Sequence, residues 1–277
     1  MASVDTSSSS GAPPLREADA WDAVLTSPAP GQHVAQLYTD REFLARGVSR
    51  FLGEGLRRGE AAVVIATPLH WRAVARQLDV DGLSVNEFAR RGQLIVRDAE
   101  ETLSTFMVDG DPDRGRFRGV VGGLVDGAQA AGYARVRGFG EMVDILRHRS
   151  LEATIRLEEL WNELLVERGI ALLCGYSLDT FDPKIYRGLL QRVSATHSHL
   201  IPVEDYERLE RAVARAYDDV FGGGSDTVDL RRAFLQHYAR PAAMPDAEAV
   251  ILALREFVPG SADALIASVR RHYDEAA

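Results

Sequence analysis

His33 and Tyr38 bracket the apolar run HVAQLY, and Glu141 follows another such run within GFGEM. An imidazole, a phenol and a carboxylate brought together could move protons, orient a water or hold a small polar ligand. Each also has a plainer reading. His33 and Tyr38 fit packed strand positions with satisfied polar tips. Glu141, with glycines on both sides of Phe139, fits either a ligand contact or an acid that fixes neighbouring loops. Thr67, Asp98, Tyr176 and Ser177 stand at the ends of further apolar runs and complete the candidate ligand-binding set.

Cys174 lies inside LLCGYS, where a small apolar residue is wanted, and reads as core packing. A redox role would require an exposed thiolate beside positive charge. His197 and His199 would share one face of an extended segment. No third and fourth ligand accompanies them at informative spacing, so a polar strand edge or hinge is the better reading and no metal site is assigned. The arginine doublets Arg57-Arg58, Arg90-Arg91, Arg231-Arg232 and Arg270-Arg271 fit solvated helix ends. Gly-x-Ser-x-Gly and dinucleotide fingerprints are missing from the sequence, and no catalytic residue is assigned.

These residues need elements to position them. From Gly31 short apolar runs alternate with longer amphipathic ones, the pattern of βαβ units and a mainly parallel sheet. Strands are predicted at His33 to Tyr38, Ala61 to Thr67, Gln93 to Arg97, Arg135 to Phe139 and Ile170 to Tyr176. Helices are predicted at Arg41 to Arg57, Leu69 to Leu78, Val85 to Arg91, Phe117 to Ala131, Leu151 to Arg168 and Pro183 to Val193. In such a sheet ligands bind beyond the carboxyl ends of the strands, and the first strand-to-helix turn is the usual phosphate cradle. Here that turn is Tyr38 to Glu42 (YTDRE). It has no glycine-rich bend, no lysine and no following Ser/Thr, and Lys184, the single lysine of the chain, is far away in sequence. Thr39 and Glu42 instead match a capping box, and Asp40 and Glu42 put negative charge where a phosphate would sit.

Composition narrows the classes further. The chain has 277 residues, 46% of them hydrophobic, and the 32 basic against 41 acidic residues leave a net charge of −9. No broad positive field is present to draw nucleic acid or an anionic membrane surface. One cysteine fits a reducing cytoplasm, and no apolar run approaches a membrane span. Residues 1–30, rich in Ser, Ala and Pro, read as a disordered tail without a secretory signal. Residues 31–201 form the α/β domain and 202–221 an amphipathic connecting helix, whose stripe from Val203 to Val220 would dock or pair, a homodimer among its options. Gly222 to Ser225 reads as a flexible joint, and residues 222–277 as a small helical region that packs on the main domain or on a partner.

With strands and turns placed, the chain resembles the MEDS family, the sensory domain named for methanogens, methylotrophs and the dichloromethane regulator DcmR. The likeness runs from about Gly31 to Ile201. It rests on HVAQLY, FLGEGLRRGEAAVVIAT (Phe51 to Thr67), GQLIVRDAEET (Gly92 to Thr102), GFGEM and LLCGYS. The resemblance singles out the spacing of His33 and Tyr38. It implies a three-layer fold like that of RecA and KaiC, with the P-loop lost. It also implies the sensing of small molecules, with output through kinase, anti-sigma-type or DNA-binding modules. No such module is evident after Gly222 in this sequence.

The expected function is therefore that of a non-catalytic, cytoplasmic regulatory protein in signal transduction or transcription regulation. It would use no cofactor. It would bind a small molecule at the strand carboxyl ends and signal through a protein partner such as a kinase, an anti-sigma-type factor or a transcription regulator. A scaffold acting only through helical interfaces is the alternative. An enzyme of unfamiliar type, with Glu141 and His33 as acid and base, is a third reading.

Overall fold

A computed structural model describes residues 17–201, 203–222, 225–238 and 245–276. Helix α1 (Glu17–Thr26) precedes β1 (His33–Leu37), and α2 (Arg41–Arg57), β2 (Ala61–Ala66), α3 (Pro68–Val80), α4 (Val85–Arg90) and β3 (Leu94–Asp98) follow. After α5 (Ala99–Phe106) a short antiparallel hairpin, β4 (Met107–Val108) and β5 (Asp111–Pro112), leads to α6 (Arg114–Phe117). A π-helical turn (Arg118–Gly122) and α7 (Gly123–Ala130) come next. Then come β6 (Val136–Gly140), α8 (Met142–Arg147), α9 (Leu151–Arg168), β7 (Ala171–Tyr176), α10 (Leu189–Thr196) and β8 (His199–Ile201). The C-terminal helices are α11 (Tyr206–Phe221), α12 (Ser225–Tyr238), α13 (Asp246–Phe257) and α14 (Pro259–Glu275).

The longer strands form one parallel sheet in the order β3-β2-β6-β7-β1-β8. Their residues are β-branched and apolar on both faces because both faces are covered. Val34, Val64, Phe139 and Leu173 pack with α1 to α4, while Ala35, Val63, Leu172 and Cys174 face α5 and α7 to α10. The fold is a three-layer α/β architecture, and all five predicted strands are present with ends within a residue or so of expectation.

Several expectations change. Residues 17–26 are helical where a tail is expected: Val24 of α1 is buried, and Asp22 pairs with Arg50 of α2. The rest of the predicted tail, residues 1–16, lies outside the described residues. Helix α2 is capped by Asp40, not Thr39. Asp40 is extended (φ −99°, ψ 124°) and its Oδ1 accepts from the Glu42 amide at 3.0 Å, whereas Thr39 is exposed. A carboxylate at this position satisfies an amide and favours the positive helix end together. The last α/β helix begins at Leu189, because Gly188 has φ +110° and residues 183–188 form turns.

Gly223 and Gly224 of the predicted joint lie outside the described residues. The amphipathic α11 buries Leu209, Val213, Ala216 and Tyr217 and packs lengthwise on α14, which answers for Leu265, Ile266 and Val269. Its stripe is thus docked within the chain. Arg255 reaches the Pro183 carbonyl at 3.2 Å, and the rings of Phe181 and Tyr273 lie 5.0 Å apart, which holds the C-terminal helices against the α/β domain.

Candidate functional site

The strand carboxyl ends make a polar crest. Helix α2, after β1, covers one face of the sheet and α10, after β7, covers the other, so the connections that leave these two neighbouring strands part to opposite faces and open a crevice. Its floor is fixed by backbone bonding, with the Tyr38 amide donating to the Tyr176 carbonyl at 2.9 Å. A cleft of about 190 Å³ opens above it. Tyr38, Thr39, Asp40 and Phe43 line one side, Leu178 to Phe181 another, and Val203, Glu204 and Tyr273 close it from the C-terminal region. Four aromatic rings line it with the carboxylates Asp40, Asp179 and Glu204, of which Asp179 is paired with Arg270 at 3.4 Å and Glu204 with Arg46 at 2.7 Å.

The second half of the crest lies at β2 and β6, whose following helices also take opposite faces. There the Glu141 carboxylate accepts from the Thr67 amide and pairs with His70 Nδ1. Thr67 caps α3, and the His70 ring stands edge-on to Tyr38 with centroids 5.6 Å apart. Burial together with Asp144 and Glu141 holds the Tyr38 phenol well above its ordinary value, so it stays a protonated donor. Asp144 accepts from the Ser177 amide at 3.0 Å and from Arg147 at 2.6 Å, while Arg147 donates to the Ser177 carbonyl at 2.7 Å. Ser177 is thereby clamped at the edge of an adjoining hollow, where Arg147 and Lys184 supply cations beside the His148 ring. The fold thus brings Lys184 to the crest that sequence distance separated it from, but among the described residues no glycine-rich amide cradle accompanies it.

Of the residues predicted to bind a ligand, Tyr38, Thr67, Glu141 and Ser177 meet at this crest. Asp98 does not join them: it caps α5 at the end of edge strand β3, accepting from Glu101 N at 2.8 Å. His33 and Tyr176 are also elsewhere. The rise of a strand separates His33 from Tyr38 by about 16 Å, and their side chains leave opposite faces. His70 and Asp144 carried no sequence signal beyond lying in the first turns after their strands, and Arg147, which ends α8, carried none.

His33 and Tyr176 belong to a second, buried cluster beneath α9 and α10. Cys174 lies on the same face of β7 as Leu172, the register partner of His33, two residues further on, and His33 Nε2 is 3.3 Å from Cys174 Sγ. Glu158 of α9 approaches His33 Nε2 at 3.5 Å and His197 Nε2 at 3.8 Å, and accepts from the Tyr176 hydroxyl. The two imidazole rings lie 3.9 Å apart. Burial pushes Glu158 up to about 8 and His33 down to about 4, and keeps the Cys174 thiol protonated. Cys174 is buried as expected, but beside polar groups. The His197 and His199 side chains diverge, against expectation. His197 ends α10 and turns inward on the Val193 carbonyl, whereas His199 begins β8 and meets Gln32 and Trp21. Glu158 had a legible signal: Thr154, Glu158 and Asn162 recur every four residues along the otherwise apolar inner side of an amphipathic helix.

Residues 32–198 match the profile of the MEDS family, the methanogen/methylotroph, DcmR sensory domain. No curated protein matches the sequence. Among solved structures the chain is similar to a KaiC-like protein from the hyperthermophilic archaeon Pyrococcus horikoshii OT3. The identity is 17% over 54% of this chain and 64% of that one, with a TM-score of 0.37. The likeness therefore spans less than two thirds of that protein.

Proposed function

The chain belongs to the MEDS family of sensory domains, and from that premise we propose that it is a non-catalytic regulator whose crest binds a small molecule and whose C-terminal helices report occupancy. The observation that carries this reading is the composition of the cleft wall. Tyr38, Thr39 and Asp40 come from the first strand end, whereas Tyr273 comes from α14. A ligand seated between them contacts both bodies, and differential contact is what allows a ligand to shift a conformational equilibrium.

The lining also suggests the class of ligand. Asp40 disfavours phosphate and carboxylate at the helix start, Asp179 and Glu204 are paired with Arg270 and Arg46, and Tyr38, Phe43, Phe181 and Tyr273 offer ring faces to a small apolar or cationic molecule. Glu141 is engaged by Thr67 and His70, which suits a loop-fixing acid better than a free general base. Among the described residues no helix is long and apolar enough to cross a membrane.

The test is amide NMR of the full chain titrated with small uncharged alcohols, ketones and amines. Shifts centred on Tyr38, Phe43 and Leu178 that extend into α14, and are lost in Phe43→Ala, are expected. Ligand shifts confined to other surfaces, or none across the panel, would overturn the assignment of the crest.

A further inference from the structure

We propose that His33, His197, Cys174 and Glu158 form a buried binding site for a divalent transition metal ion, zinc being the best match to the donor set. Each side chain offers one ligand atom, and the four atoms lie within 4.8 Å of one another. Zinc binds imidazole, thiolate and carboxylate at about 2.0–2.3 Å, which places tetrahedral donors about 3.3–3.6 Å apart. The distances of 3.3 Å from His33 Nε2 to Cys174 Sγ, 3.5 Å from His33 Nε2 to Glu158 and 3.8 Å from His197 Nε2 to Glu158 are close to those edges.

The orientation of the rings supports the same assignment. Asn162 donates through Nδ2 to the Thr196 carbonyl at 3.0 Å, so its oxygen faces His33 Nδ1 at 2.9 Å. An oxygen there accepts, and His33 Nδ1 carries the proton. His197 Nδ1 faces the Val193 carbonyl at 2.8 Å and carries a proton for the same reason. Both Nε2 lone pairs therefore point into the cluster, with an outer hydrogen bond fixing each ring as in metal-bound histidines. The Tyr176 hydroxyl does the same for Glu158.

Two of the donors are otherwise unanswered. His197 Nε2 and Glu158 Oε2 are buried with no hydrogen-bond partner, and their residues are 3% and 2% exposed. Native interiors seldom leave such atoms bare, and a cation at the common centre would engage both. A crevice between α9 and α10, lined by Thr154, Ile155, Val193 and Thr196, reaches Glu158 and provides an entry path. Four protein ligands leave no open coordination position, so the ion would be structural. It would tie the α10–β8 junction to β1, β7 and α9, and loading would release the Cys174 thiol proton.

The experiment adds cobalt(II) to the chelator-treated full chain and reads its absorption, with zinc competition and thermal melting alongside. One equivalent of tetrahedral cobalt with a thiolate charge-transfer band, displaced by zinc, is expected. The band should vanish in Cys174→Ser. Tyr176→Phe, which keeps the core volume, should retain the band with affinity lowered 10–100-fold. Absence of any band in the wild-type chain, with melting unchanged by chelator, would overturn the proposal. So would a band that persists in Cys174→Ser.

Discussion

The carboxylate of Glu60 and the guanidinium of Arg137 pair inside the protein, where Arg137 is 1% exposed and also donates to the carbonyls of Leu25, Thr26 and Phe51. One side chain on β6 thus fastens the end of α1, the middle of α2 and the start of β2. Removing Arg137 leaves the buried Glu60 carboxylate to the half-exposed Arg135, 3.3 Å away, and takes the guanidinium donor from three carbonyls. Arg137→Met is expected to cost about 3–5 kcal/mol, and the Glu60→Met/Arg137→Met double variant less than that, as read by urea denaturation.

Gly55 of α2 makes room for this pair. A Cβ there would lie 2.6 Å from Arg137 Nε and 3.1 Å from Glu60 Oε2. Arg137 cannot yield without losing its carbonyl partners, so Gly55→Ala should destabilise by about 1–3 kcal/mol despite its better helix propensity. A melting temperature equal to or above wild type would contradict this.

The position of the α2 cap separates two neighbouring substitutions. Asp40→Ala should cost about 0.5–2 kcal/mol and Thr39→Ala close to nothing, because only Asp40 satisfies a first-turn amide. Equal losses in chemical denaturation would restore the capping box on Thr39.

Glu141→Ala leaves the Thr67 amide without its carboxylate acceptor and frees His70. A loss of about 1–3 kcal/mol is expected, with Glu141→Gln losing less because an amide oxygen can still accept. Tyr38 and His70 resonances should shift in both variants while those of β3 stay in place.

Ending the chain at Gly222 would uncover Leu209, Val213, Ala216 and Tyr217 of α11 and remove the Tyr273 wall of the cleft. Light scattering should then report self-association through the bared stripe. A monodisperse monomer would mean that α11 refolds onto the α/β domain by itself.

Much of the frame was legible before any tertiary contact. β-branched runs such as AAVVIAT gave strand positions because a strand buried on both faces must be apolar throughout, and helices such as Arg41 to Arg57 declared themselves by period. β8 and α8 did not, since three and six residues are too few to display a period. Helix α1 was missed because its Ser/Pro-rich flank dominated the composition, while its order comes from contacts with Arg50 and Arg137.

The sequence by itself determined that the first strand-to-helix turn is not a P-loop, because YTDRE has no glycine bend and no lysine and places carboxylates at the helix start. It also determined the α/β class and marked the His33 and Tyr38 positions. Only the tertiary structure decided that these two residues serve different places, because alternation along β1 sends Tyr38 to the crest and His33 beneath α9. It alone joined His33 to Cys174, Glu158 and His197, from four separate elements, since parallel pairing and helix packing set such distances and linear spacing does not.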